Sequence, residues 1–212
     1  MIIAFASLKG GAGKSTLSIH LAHAIALAGK RVLLVDADPQ GSVSSWAAAR
    51  DTPSPFPVIG LSRNTIHRDL PELMVNYDHC VIDTPPRVSA LARSAILAAD
   101  LVLIPVQPSS YDVWAAGETV ELVKEAQSFK AEIKAAFVIN RRIGNSAIGK
   151  EIDSALADYA LPVLKTAIAQ RVIFSESSAG YSVMELTPSS TAATEVKNLS
   201  KEVLKLMEVK KW

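Results

Sequence analysis

One cysteine, Cys80, is the entire thiol content of this 212-residue chain. An internal disulfide is therefore excluded, and the thiol lies in an apolar run that reads as buried strand, which suits a reducing compartment. Long hydrophobic runs are missing too. No stretch approaches the roughly 20 apolar residues that cross a bilayer. The opening MIIAFAS is too short for a secretory leader and runs straight into a glycine turn. A soluble, cytoplasmic protein is expected. Charge of one sign is also lacking: the formal net charge is +1, so any nucleic-acid partner must meet a local basic patch. Histidine is scarce. His20 and His23 lie three apart with no third ligand near them in sequence, and they read as an ordinary helix-surface pair rather than a metal site. There are no repeats and no low-complexity tract. The most linker-like segment, TPSPFP at 52–57, is too short to separate domains, so one domain over residues 1–212 is expected.

What is present is alternation. Strand-like apolar runs occupy 2–7, 31–36, 57–60, 80–83, 101–105, 135–139 and 163–168. Most are nearly continuous in apolarity, as strands covered on both faces are. Helical patterns fill the gaps at 14–28, 42–50, 65–75, 89–98, 113–129 and 146–159, and a last one runs over 190–209. The expected fold class is α/β: a mostly parallel twisted sheet with helices on both faces.

Between the first strand and first helix stands LKGGAGKST, residues 8–16. Glycines at 10, 11 and 13 let the backbone curl so that several N–H groups point inward, and the helix adds its positive dipole end. Lys14 is placed to reach the β and γ phosphates of a nucleotide, and the Ser15 hydroxyl to ligate Mg²⁺. Gly10, Gly11, Ala12, Gly13, Lys14, Ser15 and Thr16 are the expected nucleotide-binding residues. The usual glycine at position 8 is replaced by Leu8, and Lys9 follows it.

This K-G-G-x-G-K-[ST] pattern resembles the deviant Walker A motif of the ParA/MinD group of P-loop ATPases. The resemblance implies ATP and Mg²⁺ as cofactors, and a Lys9 that crosses a dimer interface to the partner's nucleotide. Two further segments resemble the same family. VDADPQGS places Asp38 where relatives orient the attacking water, and Asp36 where they would hold Mg²⁺ or support it from behind. HCVIDTPPR ends an apolar strand on Asp83, the Walker B position for Mg²⁺, followed by a γ-phosphate switch at 84–86. Downstream, FVINRR sets Asn140 where relatives recognise adenine with an amide, and 168–185 is similar to the segment that closes over the purine. The likeness covers nearly the whole chain and is most specific in the first 90 residues.

Within that group, an iron–sulfur role needs cysteines that this chain does not have. A membrane-cycling MinD-like ATPase needs a C-terminal amphipathic anchor. The last helix instead carries Val196, Leu199, Val203, Leu206 and Met207 opposite Lys197, Lys201 and Lys205, an ordinary packing stripe; only Lys210, Lys211 and Trp212 hint at an anchor. The expected function is that of a short ParA-type partition ATPase without an N-terminal DNA-reading domain. The resemblance implies a homodimer formed on ATP, DNA binding without sequence preference, and a ParB-like or other centromere-binding partner that stimulates hydrolysis. Arg171, Lys197, Lys201 and Lys205 are the candidate DNA contacts. The alternatives are the MinD-like ATPase and a metabolic ATP-dependent ligase on the same fold.

Overall fold

The computed structural model describes residues 1–144, 152 and 154–209. Six parallel strands form one sheet: β1 (Ile2–Phe5), β2 (Val32–Asp36), β3 (Val58–Gly60), β4 (His79–Asp83), β5 (Leu101–Val106) and β6 (Lys134–Ile139), in the order β3-β2-β4-β1-β5-β6. The alternation of strand and helix runs is what dictates a parallel sheet, because each crossover must carry a helix over one face. Alternate residues of each strand feed two separate cores. Ala4, Leu33, Val35, Ile82 and Ile104 pack beneath α3 (Ile66–Leu73), α4 (Ala90–Ala98) and α5 (Ser110–Gln127). Ile3, Phe5, Leu34, Val81 and Leu103 pack beneath α1 (Lys14–Leu27), α2 (Ser42–Ala48) and a C-terminal helix, Thr191–Leu206. Cys80 is fully buried in this sheet, and burial holds its thiol far above the usual range.

The seventh expected strand does not form. Residues 163–168 run beside β6 and meet it at an isolated bridge, Phe137 with Val163, and again where the Ile168 N–H donates to the Ile139 carbonyl at 2.9 Å. The backbone N–H groups of Lys165 and Thr166 donate instead to the Glu202 carboxylate, at 2.6 and 2.8 Å. A side chain has replaced the ladder there. Two short helices follow, α6 (Val172–Glu176) and α7 (Val183–Leu186), and then the C-terminal helix, α8. The helix expected from 113 begins at Ser110, because the Ser109 side chain accepts the Asp112 N–H and caps it. Residues 146–151 and 153 of the helix expected over 146–159, and the terminal Lys210, Lys211 and Trp212, lie outside the described residues. Among the described residues no helix is long and apolar enough to cross a membrane.

His20 and His23 are not a surface pair. Helix α1 is buried almost all round, between the sheet and α2, α7 and α8, and both imidazoles lie in its packed interior. Three apart on a surface helix they would be solvated. On this central helix they must find partners, and they do.

Candidate active site

The C-terminal edge of the sheet collects every strong sequence candidate. Register sets Phe5 and Asp36 on either side of Asp83, so the phosphate loop leaves β1 next to the Asp83 carboxylate, with Asp36 one strand further on. In an open parallel sheet this edge is where ligands bind.

The loop itself is shaped from outside. Gly13 is the residue before α1 and has φ 94°, a left-handed conformation. A Cβ there would come within 2.1 Å of Asn140 Nδ2, so position 13 excludes side chains by geometry and by contact. Asn140, at the end of β6, donates from Nδ2 to the Ala12 carbonyl at 2.8 Å. Gln107, just past β5, donates from Nε2 to the Gly11 carbonyl at 2.8 Å. Two amides thus hold successive loop carbonyls to one side, which leaves the N–H groups free to face an anion. Gln107 was not a sequence candidate. Its only signal was its place directly after a buried strand, at the same edge as Asn140.

Lys14 opens α1 and is buried. Desolvation lowers its pKa, opposed by the carboxylates of Asp83 and Asp38. Asp83 is fully buried. Its Oδ2 accepts the Ser15 hydroxyl at 2.5 Å, while its Oδ1 has no hydrogen-bond partner among the described residues. Burial pushes its pKa up to about 7, against the pull of Ser15 and Lys14. A buried, half-satisfied carboxylate touching a serine hydroxyl is the donor set that suits Mg²⁺ held largely by water and phosphate. Among the described residues, no group of three or more His, Cys, Asp or Glu could hold a metal unaided.

Asp36 is placed differently from a metal ligand. Its Oδ2 accepts from both Ser44 N at 2.7 Å and Ser44 Oγ at 2.8 Å, and its Oδ1 from Asp38 N at 3.3 Å. Both oxygens are engaged in holding the Asp38 turn and α2, which matches the supporting one of the two roles the sequence left open for it. Asp38 is half-buried, and its Oδ1 accepts the Gln40 N–H at 2.9 Å. It remains near enough to Lys14 and Asp83 to act on both charges.

Lys9 points away from its own loop. Its ammonium lies 2.7 Å from Asp112 Oδ2 and its side chain is 39% exposed. The Arg171 guanidinium is paired with Glu195 at 2.5 Å and lines a cavity of about 750 Å³ with Gly13, Thr16, Asn140 and Phe174. Arg171 thus bridges the cavity wall and α8, the helix of the other candidate DNA contacts. Lys197, Lys201 and Lys205 are exposed along one face of α8.

The Asp83 environment carries a testable consequence. A carboxyl whose folded pKa lies near 7 instead of 3.8 binds protons more tightly in the fold, so its stability contribution is lost as pH rises from about 4 to about 7. Asp83→Asn should raise the melting temperature of the nucleotide-free protein at pH 8 by about 5 °C, from relief of about 1–2 kcal/mol. That gain should vanish below pH 4, and Mg²⁺-dependent hydrolysis should drop about a thousandfold. Calorimetry at the two pH values checks the first part; equal melting temperatures at pH 8 would count against it.

The chain matches the CobQ/CobB/MinD/ParA nucleotide-binding domain family over residues 3–182. It is 32% identical over 207 residues to the maintenance of carboxysome distribution protein A of Halothiobacillus neapolitanus, covering 95% of each chain. It is 29% identical to the chromosome-partitioning ATPase Soj of Thermus thermophilus, covering 95% of this chain and 94% of that one. Its fold is similar to that of the septum site-determining protein MinD of Pyrococcus horikoshii, solved with Mg-ADP: TM-score 0.80 at 21% identity, over 97% and 96% of the two chains. With a glycine loop, a buried lysine and a half-satisfied aspartate at the sheet edge, the chain belongs to the CobQ/CobB/MinD/ParA nucleotide-binding family and is an ATPase of its ParA/MinD branch.

Proposed function

We propose that this ATPase is the positioning motor of a ParA-type system: it dimerises on Mg-ATP, binds DNA without sequence preference, and is released when a cargo-bound adaptor stimulates hydrolysis. One observation carries the reading. Lys9 sits in the phosphate loop yet makes its ion pair outside its own site, half-exposed and able to reach elsewhere. The named roles of the relatives, carboxysome distribution and chromosome partitioning, support a cargo carried on DNA, with a ParB-like or other adaptor between them.

In this reading Lys14 and the N–H groups of Gly10 through Ser15 hold the β and γ phosphates, with Thr16 at the nucleoside side. Ser15 and Asp83 would hold Mg²⁺, which would neutralise phosphate charge. Asp38 orients water in line with the γ-phosphate, on a turn fixed by Asp36. Asn140 serves the loop through its N–H₂ and has its amide oxygen left for the adenine amino group. Lys9 of each protomer supplies a cation to the other's nucleotide.

DNA contact rests on the α8 lysines. ATP should produce a gel shift on arbitrary duplex DNA, and log affinity should fall with log salt at about 0.9 per phosphate contact. Substituting Lys197, Lys201 and Lys205 together by alanine should weaken binding equally on every sequence and flatten that slope. Salt-insensitive or sequence-selective binding would overturn the reading. ATP-dependent pelleting with liposomes instead would favour a membrane-cycling role, and neither behaviour a metabolic ligase.

A further inference from the structure

The large cavity beside the phosphate loop has walls from distant parts of the chain. Gly13 and Thr16 form one side; Arg171, Phe174, Ser175 and Ser178 form the other. Helix α1 joins them through His20, one turn after Thr16. Its Nδ1 lies 2.6 Å from the Thr16 carbonyl oxygen, and its Nε2 lies 3.1 Å from the Val183 N. Since the Val183 N–H must donate, Nε2 accepts, and the ring proton sits on Nδ1 and donates to Thr16. The ring also meets Phe174 edge-on, with centroids 5.2 Å apart. One turn further, His23 Nδ1 lies 2.5 Å from Ser182 Oγ. Ser182 caps α7 in a reciprocal box with Glu185, and Glu185 pairs with Arg50 at 2.8 Å.

We infer that His20 is a positioning residue for nucleotide: by bridging Thr16 to Val183 and Phe174 it fixes the width of the nucleoside cavity, and so the affinity for ATP and ADP. The inference rests on the reading that this cavity takes the nucleoside. Phosphates are gripped by the loop, whose shape is set by Gln107 and Asn140, so the bridge acts on the nucleoside end alone. Neutral imidazole is the right side chain, because it donates at one nitrogen and accepts at the other across a buried gap. Burial favours that neutral form.

Two substitutions separate the two arms. His20→Gln sets an amide oxygen near the Nε2 position and keeps an acceptor for Val183. His20→Asn keeps a donor near Thr16 and loses the bridge. Titration calorimetry with Mg-ATP and with Mg-tripolyphosphate, together with steady-state turnover, reads the effect. His20→Asn should raise Kd and KM for ATP about tenfold, the loss of one buried hydrogen bond, with kcat within about twofold and tripolyphosphate affinity unchanged. His20→Gln should stay within about threefold of wild type throughout. Phe174→Ala, which strips the wall itself, should also weaken ATP and spare tripolyphosphate. If His20→Asn binds ATP as wild type does while Phe174→Ala does not, the bridge is irrelevant and the cavity reading stands. If Phe174→Ala is also silent, the cavity reading fails and takes the inference with it. Equal losses in both His20 variants, or parallel losses of ATP and tripolyphosphate, would make His20 a packing residue only. Should a His20 variant fail to fold, Ser182→Ala cuts the tie from His23; a loss of about threefold in ATP affinity supports the clasp, and none overturns it.

Discussion

Lys14→Ala should lose ATP and ADP binding by about 10²–10³-fold and leave no measurable hydrolysis. The ammonium is buried against Asp83 and Asp38, so it already stands in a water-poor site before nucleotide arrives. A cation there meets phosphate with weak screening, and its removal leaves the backbone cradle to face several negative charges alone. The fold should survive. Desolvation of the lysine is itself a cost, and Asp83 can protonate when its partner is gone, so the two losses offset. The melting temperature is therefore expected within a few degrees of wild type while calorimetric binding of Mg-ATP disappears. Affinity within threefold of wild type would show that the phosphates are held elsewhere.

The parts of this site that the sequence made legible are those written in consecutive residues. The loop from Lys9 to Thr16 and the aspartates at 36, 38 and 83 each sit at the end of an apolar strand, and a parallel sheet brings such ends together. Six strands follow from the same runs. The rest depends on pairs that no local pattern encodes. Lys9 with Asp112 spans 103 positions, Asn140 with Ala12 spans 128, and His20 with Val183 spans 163. The seventh strand misled because 163–168 is apolar enough for a strand, while the Glu202 carboxylate that takes its N–H groups lies on a helix 36 residues later. The histidines misled for a related reason. Helix α1 is apolar on every face, and such a helix gives no stripe from which to tell inside from outside. Arg171 was grouped with the α8 lysines by charge alone, and its pairing with Glu195 on that same helix is a contact across 24 positions.

Lys9→Ala should bind ATP almost as wild type does, stay monomeric with ATP, and hydrolyse it at least about a hundredfold more slowly. In its own subunit the charge is redundant, because Lys14 and the loop N–H groups hold the phosphates. What Lys9 leaves behind is small. Its ammonium is 39% exposed, and the buried Asp112 carboxylate that it leaves keeps the Ser109 hydroxyl as a donor. What it would meet is larger: phosphate charge in an interface that excludes water, where one well-placed cation contributes several kcal/mol. That difference sets the direction of the switch toward the ATP dimer. Lys9→Arg should rescue only partly, since a planar fork cannot replace a compact ammonium beside a tight glycine turn. Mixing makes the test sharp. In a dimer of one Lys9→Ala and one Asp38→Ala subunit, the nucleotide of the first subunit keeps its own Asp38 and faces an intact Lys9, and that site should turn over. The other site lacks both. Neither variant alone should hydrolyse, while the mixture should recover activity, at most half of wild type per mixed dimer, since each has one working site of two. Light scattering with ATP and turnover of the mixture decide the matter. A Lys9→Ala protein that dimerises on ATP and hydrolyses normally would reduce Lys9 to a solvated loop residue, and a mixture as inert as its components would place the cation in cis.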